Sequence, residues 1–166
     1  MFTEKAFVKR SSSKINNKFI NIESYSGYSL KFSDPEAPEF LFDITVSNED
    51  LGKAVLESLK NSRFLELEKA YELEEICQEN YPKWIAGLME RYGYKTKRAL
   101  FKDMNSCDIV LRDQTIVIEP CHHETLEGWG SGKITAKDYV HVPFDAPPAE
   151  IGAALRLGFS RCTSKF

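Results

Sequence analysis

The sequence predicts an α+β domain in which a mainly antiparallel sheet packs against several helices, with two related strand–helix units. Three observations carry that expectation. Strand-like segments crowd the first third of the chain, helix-period segments follow, and strand patterns return before a closing helix. The stretch EDLGKAVLESL is echoed one hundred residues later by AEIGAALRLGF. Finally, 166 residues with 42% hydrophobic and 28% charged content form an ordinary soluble composition. A chain of that size buries about 70% of its unfolded surface around one core, so residues 1–166 are read as a single domain.

Taken in order, AFVKR, KFINIES, YSLKF and EFLFDITV are short and rich in β-branched and aromatic residues, which predicts strands. SSSKINN, SGY and SDPEAP separate them as turns. The first copy of the repeat predicts a helix over 47–61. A second helical pattern over 65–79 places Leu67, Ala70, Tyr71, Leu73, Ile76 and Cys77 on a buried stripe. A third helix is expected after Tyr81, with Pro82 at its first position and Gly93 as its stop. Trp84, Ile85, Leu88, Met89 and Tyr92 give it an apolar face. KTKRALFKDM fits helix or strand equally. SCDIVLRD and QTIVIEP predict a β-hairpin turning near residues 112–114, and the Gly-rich loop EGWGSGK leads to a strand in DYVHVPF and the second repeat helix.

The repeated helices read as scaffold. Leu51, Ala54, Val55, Ser58 and Leu59 share one face in the first copy, and Ile151, Ala154, Leu155, Gly158 and Phe159 fill the same offsets in the second. Both carry a glycine one residue into the pattern, Gly52 and Gly152. Glycine inside a helix costs about 1 kcal/mol against alanine, so its recurrence predicts close backbone packing, expected against the sheet. Acids at both helix starts, Glu49, Asp50 and Glu150, oppose a bound anion there.

Candidate chemistry is sparse. Cys77, Cys107, Cys121 and Cys162 form no metal-binding spacing and are expected as free thiols. CHHETLEGW clusters Cys121, His122, His123 and Glu124, with His141 the remaining histidine, so a small Cys/His hydrolase is one reading. A polar loop is the other, because adjacent residues on an extended chain face opposite ways. GWGSGKI lacks the glycine and hydroxyl residue of a phosphate loop. Tyr94, Lys95, Lys97, Arg98, Phe101 and Lys102 interleave aromatics with cations, as a module binding single-stranded RNA would. A net charge of −3 argues against it. Neither a cofactor nor a metal is expected.

Charge distribution is the more informative signal. Asp34, Glu36, Glu39, Asp43, Glu49 and Asp50 occur without an intervening lysine or arginine, and Glu68, Glu72, Glu75 and Glu79 recur at three- and four-residue steps. Such a face is either simply solvated or attracts a basic partner.

Three blocks carry a resemblance that spans most of the chain in collinear order. They are SGY with LGKAVLESLKNSRFL, then LMERYGYKTKRALFKDMNSCDI, then DYVHVPFDAPPAEIGAALRLGFSRC. Together they resemble bacterial immunity proteins of contact-dependent growth inhibition systems, departing at Pro147 and Ala149 from that family's polar or acidic helix starts. The resemblance implies a nonenzymatic protein of the cytoplasm that binds the C-terminal toxin domain of a delivered exoprotein, in many cases a nuclease acting on RNA. It would occlude the toxin's active site or its access to substrate. The family blocks read as scaffold, so contacts are expected on acids and aromatics outside them. Glu68, Glu72, Glu75 and Glu79 come first, then Asp34, Glu36 and Glu39, then Tyr25 and Tyr28, while Tyr71 is expected in the core. The charged opening MFTEKAFVKR is unlike a signal peptide, consistent with the cytoplasm.

Overall fold

The computed structural model describes residues 1–166. The strands are β1 (Arg10–Ile15), β2 (Phe19–Gly27), β3 (Lys31–Ser33), β4 (Phe40–Asp43), β5 (Asn105–Arg112), β6 (Thr115–Pro120), β7 (His122–Thr125), β8 (Gly128–Gly130), β9 (Val140–Pro143) and β10 (Thr163–Ser164). The helices are α1 (Asn48–Asn61), α2 (Leu67–Tyr92), α3 (Lys97–Phe101) and α4 (Pro148–Ser160). No helix is long and apolar enough to cross a membrane.

The main sheet runs β3-β2-β1-β5-β6-β9, and β4 also pairs with β2. All of its pairings are antiparallel. A smaller sheet, β10-β7-β8, stands beside it. The expected α+β class and the two related units are therefore present, and the units are larger than a strand and a helix. β1, β2, β4 and α1 in the first half correspond to β5, β6, β9 and α4 in the second. The two halves meet along the β1–β5 pairing, Ser12 opposite Asp108 and Ser13 opposite Cys107.

Strand alternation assigns the two faces of the sheet. Ile20, Ile22, Cys107, Ile109, Ile116, Ile118, Val140 and Val142 point toward α1 and α4 and form the main core with Leu51, Val55, Leu59, Ile151, Leu155 and Phe159. Gly52 and Gly152 do mark a close approach, but between the two helices rather than between helix and sheet. A Cβ on Gly52 would lie 2.6 Å from the Pro148 carbonyl carbon, and one on Gly152 would lie 2.7 Å from that of Asn48. Ser47 Oγ caps α1 by accepting from the Asp50 N–H at 3.1 Å. α4 has Pro147 at that position and no side-chain cap.

Several elements differ from expectation. AFVKR is not a strand; β1 begins at Arg10 and consumes SSSKI, which was expected as a turn. Its helix-facing serines find polar partners, Ser11 Oγ donating to Ser58 Oγ at 2.8 Å and Ser13 Oγ to the Asn21 carbonyl at 2.6 Å. The two central helices are one helix, α2, with Pro82 inside it. Pro82 and Gln78 are both exposed, so the carbonyl that loses its N–H partner faces water. Tyr71, expected in the core, is 59% exposed, and Leu67 and Ile76 are exposed with it. The buried stripe runs instead through Ala70, Leu73, Ile85 and Leu88. KTKRALFKDM resolves as the short helix α3, capped by Thr96. Part of EGWGSGK is strand β8. The β5–β6 turn falls at Asp113 and Gln114, both with positive φ as a two-residue hairpin turn requires.

Candidate functional site

The sheet face turned away from α1 and α4 is polar. Ser12 and Lys14 from β1, Glu23 and Tyr25 from β2, and Ser106 and Asp108 from β5 share it by two-residue alternation. α2 crosses one side of this face and is anchored by a second core of Phe19, Ile85, Leu88, Leu100, Phe101 and Met104. The β7–β8 hairpin stands on the other side. Between them lies a cleft of about 670 Å³. Its walls are held in place by polar bonds. Trp84 Nε1 donates to Glu39 Oε2 at 2.8 Å, and Tyr81 Oη donates to Glu127 Oε1 at 2.9 Å, joining helix to hairpin across the rim.

The floor carries both signs of charge. Lys14 Nζ donates to Ser12 Oγ at 3.1 Å and lies 5.2 Å from the Trp129 ring centroid. Arg10 pairs with Asp108 at 3.4 Å. Burial pushes the Glu23 carboxyl above its ordinary range, and neighbouring Glu39 adds to the shift, against Lys14 and the Ser33 hydroxyl. Burial and Asp108 push the Cys121 thiol up to about 12, which keeps it protonated at neutral pH.

The predicted contact residues divide into three groups. Glu68, Glu72, Glu75 and Glu79 stand exposed along α2, flanked by the exposed apolar Leu67, Tyr71 and Ile76. Tyr25 and Glu39, with Asp34, border the cleft. Asp34 is not a surface acid: it is 4% exposed and accepts from Ser26 Oγ at 2.7 Å and from Arg63 Nε and Nη2 at 2.7 and 3.2 Å. Burial alone would raise its pKa, but the Arg63 and Ser26 hydrogen bonds and the Glu36 N–H outweigh that and lower it. Asp34 is thus a fixed internal acid, and Glu36 is drawn to the same arginine. Tyr28 sits apart, packed on Phe2 and Phe64 at ring distances of 5.2 and 5.8 Å. Sequence reasoning missed Lys14, Glu23, Tyr81, Trp84, Asp108 and Trp129. The alternation of KFINIES could have revealed Glu23, since it places Asn21 and Glu23 on the face opposite Ile20 and Ile22, with Tyr25 next in the same series.

The Cys/His cluster does not converge. His122 Nδ1 is 2.7 Å from Thr163 Oγ1, while His123 is buried, bonds the Leu126 carbonyl through Nε2 at 2.8 Å and stacks on Trp129. Cys121 instead faces Asp108, so these bonds contain no nucleophile–base pair. The basic aromatic segment is likewise dispersed. Phe101 is fully buried, Tyr94 Oη bonds Asn17, and Lys97 pairs with Glu127 at 3.7 Å. Phe101 therefore cannot stack a base. No three His, Cys, Asp or Glu side chains gather closely enough to hold a metal ion.

Comparison with known proteins agrees with this architecture. The family model described as CDI immunity protein matches residues 9–162. Immunity protein CdiI-YPIII of Yersinia pseudotuberculosis serotype O:3 (strain YPIII) is 42% identical over 165 residues, covering 91% of this chain and 93% of that protein. A chain of the CdiA-CT/CdiI toxin and immunity complex from Yersinia pseudotuberculosis superposes with a TM-score of 0.86 at 38% identity, over 95% of this chain and 98% of that one. A protein of unknown function from Neisseria meningitidis, NMB0488, superposes with a TM-score of 0.85 at 34% identity, over 98% and 99% of the two chains. With the family match extending from the residue before β1 to the second residue after α4, this chain belongs to the CDI immunity protein family.

Proposed function

We propose that the protein binds and neutralises the C-terminal toxin domain of a contact-dependent growth inhibition exoprotein in the cytoplasm, as a stoichiometric inhibitor without catalysis of its own. The observation that carries this reading is the match in both sequence and fold, over nearly the whole chain, to relatives named as immunity proteins and to a toxin and immunity complex. The contact surface combines two features. Glu68, Glu72, Glu75 and Glu79, with exposed Tyr71, offer an acidic face that steers a basic partner. The adjoining cleft, with Tyr25, Glu23 and Glu39, offers the concave polar surface where an inserted toxin segment is desolvated and held. Glu36 is exposed between the cleft-lining Pro35 and Ala37, and Tyr28 is a second-rank aromatic contact.

A nuclease, most simply one acting on RNA, fits such a surface. Its substrate channel must be basic to hold phosphates, and an acidic inhibitor can cover that channel or block the approach to it. Coexpression with the toxin domain encoded beside this chain tests the assignment. Growth should be restored only when both are present, and continued killing at matched expression would refute it.

A further inference from the structure

Cys107 and Cys162 are in contact, Sγ to Sγ 3.8 Å apart, although 55 residues separate them in sequence. Cys107 lies on β5 and is fully buried beneath α4. Cys162 follows that helix and is half-buried. Gly158 brings them together. A Cβ there would lie 2.5 Å from Ile118 Cγ2 and 3.3 Å from Cys107 Sγ, so only a bare backbone lets the end of α4 settle this close to β5. The first half of the fold treats the same place differently. At an offset of one hundred, Gly158 and Cys162 correspond to Ser58 and Ser62, buried hydroxyls committed to hydrogen bonds with Val55 and Tyr25 carbonyls. Past the helix end the second half puts sulfur, Cys162, where the first has the Ser62 oxygen.

We propose that Cys107 and Cys162 are a peroxide-modification site, oxidised to an intramolecular disulfide that ties the end of α4 to β5. Cys162, the less buried of the two, attacks first, and its pKa is lowered chiefly by its contact with the Cys107 thiol. Its thiolate takes one oxygen from hydrogen peroxide and, with one proton, yields a sulfenic acid and water. The Cys107 sulfur then attacks the sulfenic sulfur, the S–O bond breaks, and the second water leaves. Two thiols and one peroxide thus become one disulfide and two waters. The sulfurs must close from 3.8 Å to about 2.05 Å. The other two thiols are held elsewhere, Cys121 toward Asp108 in the cleft and Cys77 on the Ser33 carbonyl. Because Cys162 immediately precedes β10, the cross-link also anchors the small sheet that forms one wall of the cleft.

The test is peroxide treatment of the folded wild-type protein, followed by intact-mass measurement and unreduced peptide mapping. The expected result is a loss of about 2 Da, a single Cys107–Cys162 linked peptide and a reversible rise in melting temperature of roughly 5–10 °C. The Cys77→Ser/Cys121→Ser double variant should behave identically, and Cys162→Ser should form no internal link. An unchanged mass, oxygen adducts without a link, or a link through Cys77 or Cys121 would each overturn the proposal.

Discussion

Gly52 of α1 and Gly152 of α4 face each other's helix starts reciprocally: the missing side chain of each admits the backbone of the other helix, at Pro148 and Asn48 respectively. The crossing is the joint between the two halves of the fold. A methyl group at either glycine meets backbone carbonyl atoms that cannot rotate away, so the helices must separate. Gly52→Ala and Gly152→Ala should each cost about 3 kcal/mol in urea unfolding. Gly87→Ala is the control, since a Cβ there meets nothing, and it should stabilise α2 by about 0.5–1 kcal/mol.

Asp34 and Arg63 form a second fixed point, tying the segment after β3 to the residues following α1. Asp34→Asn loses the paired charge and should reduce stability by about 2 kcal/mol at neutral pH. The Asp34 pKa is lowered from its ordinary 3.8 by Arg63 and Ser26 despite burial. Its contribution is therefore complete above that value and is lost as pH falls through the folded-state pKa. Chemical denaturation of both proteins as a function of pH should show the two curves converging below about pH 4.

Glu23 behaves in the opposite sense. Its pKa is raised above 4.5 by burial and by Glu39, so the folded protein holds that proton more tightly than the unfolded chain does. Stability is then lost as pH rises from the ordinary value through the folded one. Glu23→Gln should be more stable than wild type at neutral pH, with the advantage vanishing below about pH 4.5 in melting curves.

The acids of α2 act before contact rather than in folding. Replacing Glu68, Glu72 and Glu75 together by lysine should leave thermal stability within about 0.5 kcal/mol of wild type. The association rate with the toxin domain should fall roughly tenfold at low salt, with the difference shrinking as salt is added. Stopped-flow binding measures both effects.

Much of the fold was legible because its signals were local. The repeat marked two equivalent helices, and its glycines marked a close approach whose partner, the other helix, needed coordinates. β1 was illegible because its inward residues are serines matched to hydroxyls and carbonyls rather than apolar residues. In sequence Pro82 reads as a helix start because proline suits a first turn, yet its exposure lets α2 continue through it. In the site, the α2 acids were visible as a helical period. The cleft was not, because Lys14, Glu23, Asp108, Trp84 and Trp129 come from five elements and no sequence spacing relates them. Asp34 reads as part of an acidic surface in sequence because Arg63, which neutralises it, lies 29 residues away.

The central claim is inhibition by occupancy, and titrating the adjacent toxin domain's activity with this protein tests it most directly. Activity should fall linearly and reach zero at one equivalent, with intact, active toxin recovered when the complex is denatured and the toxin refolded. Inactivation by a small fraction of an equivalent, or full toxin activity in excess protein, would contradict it.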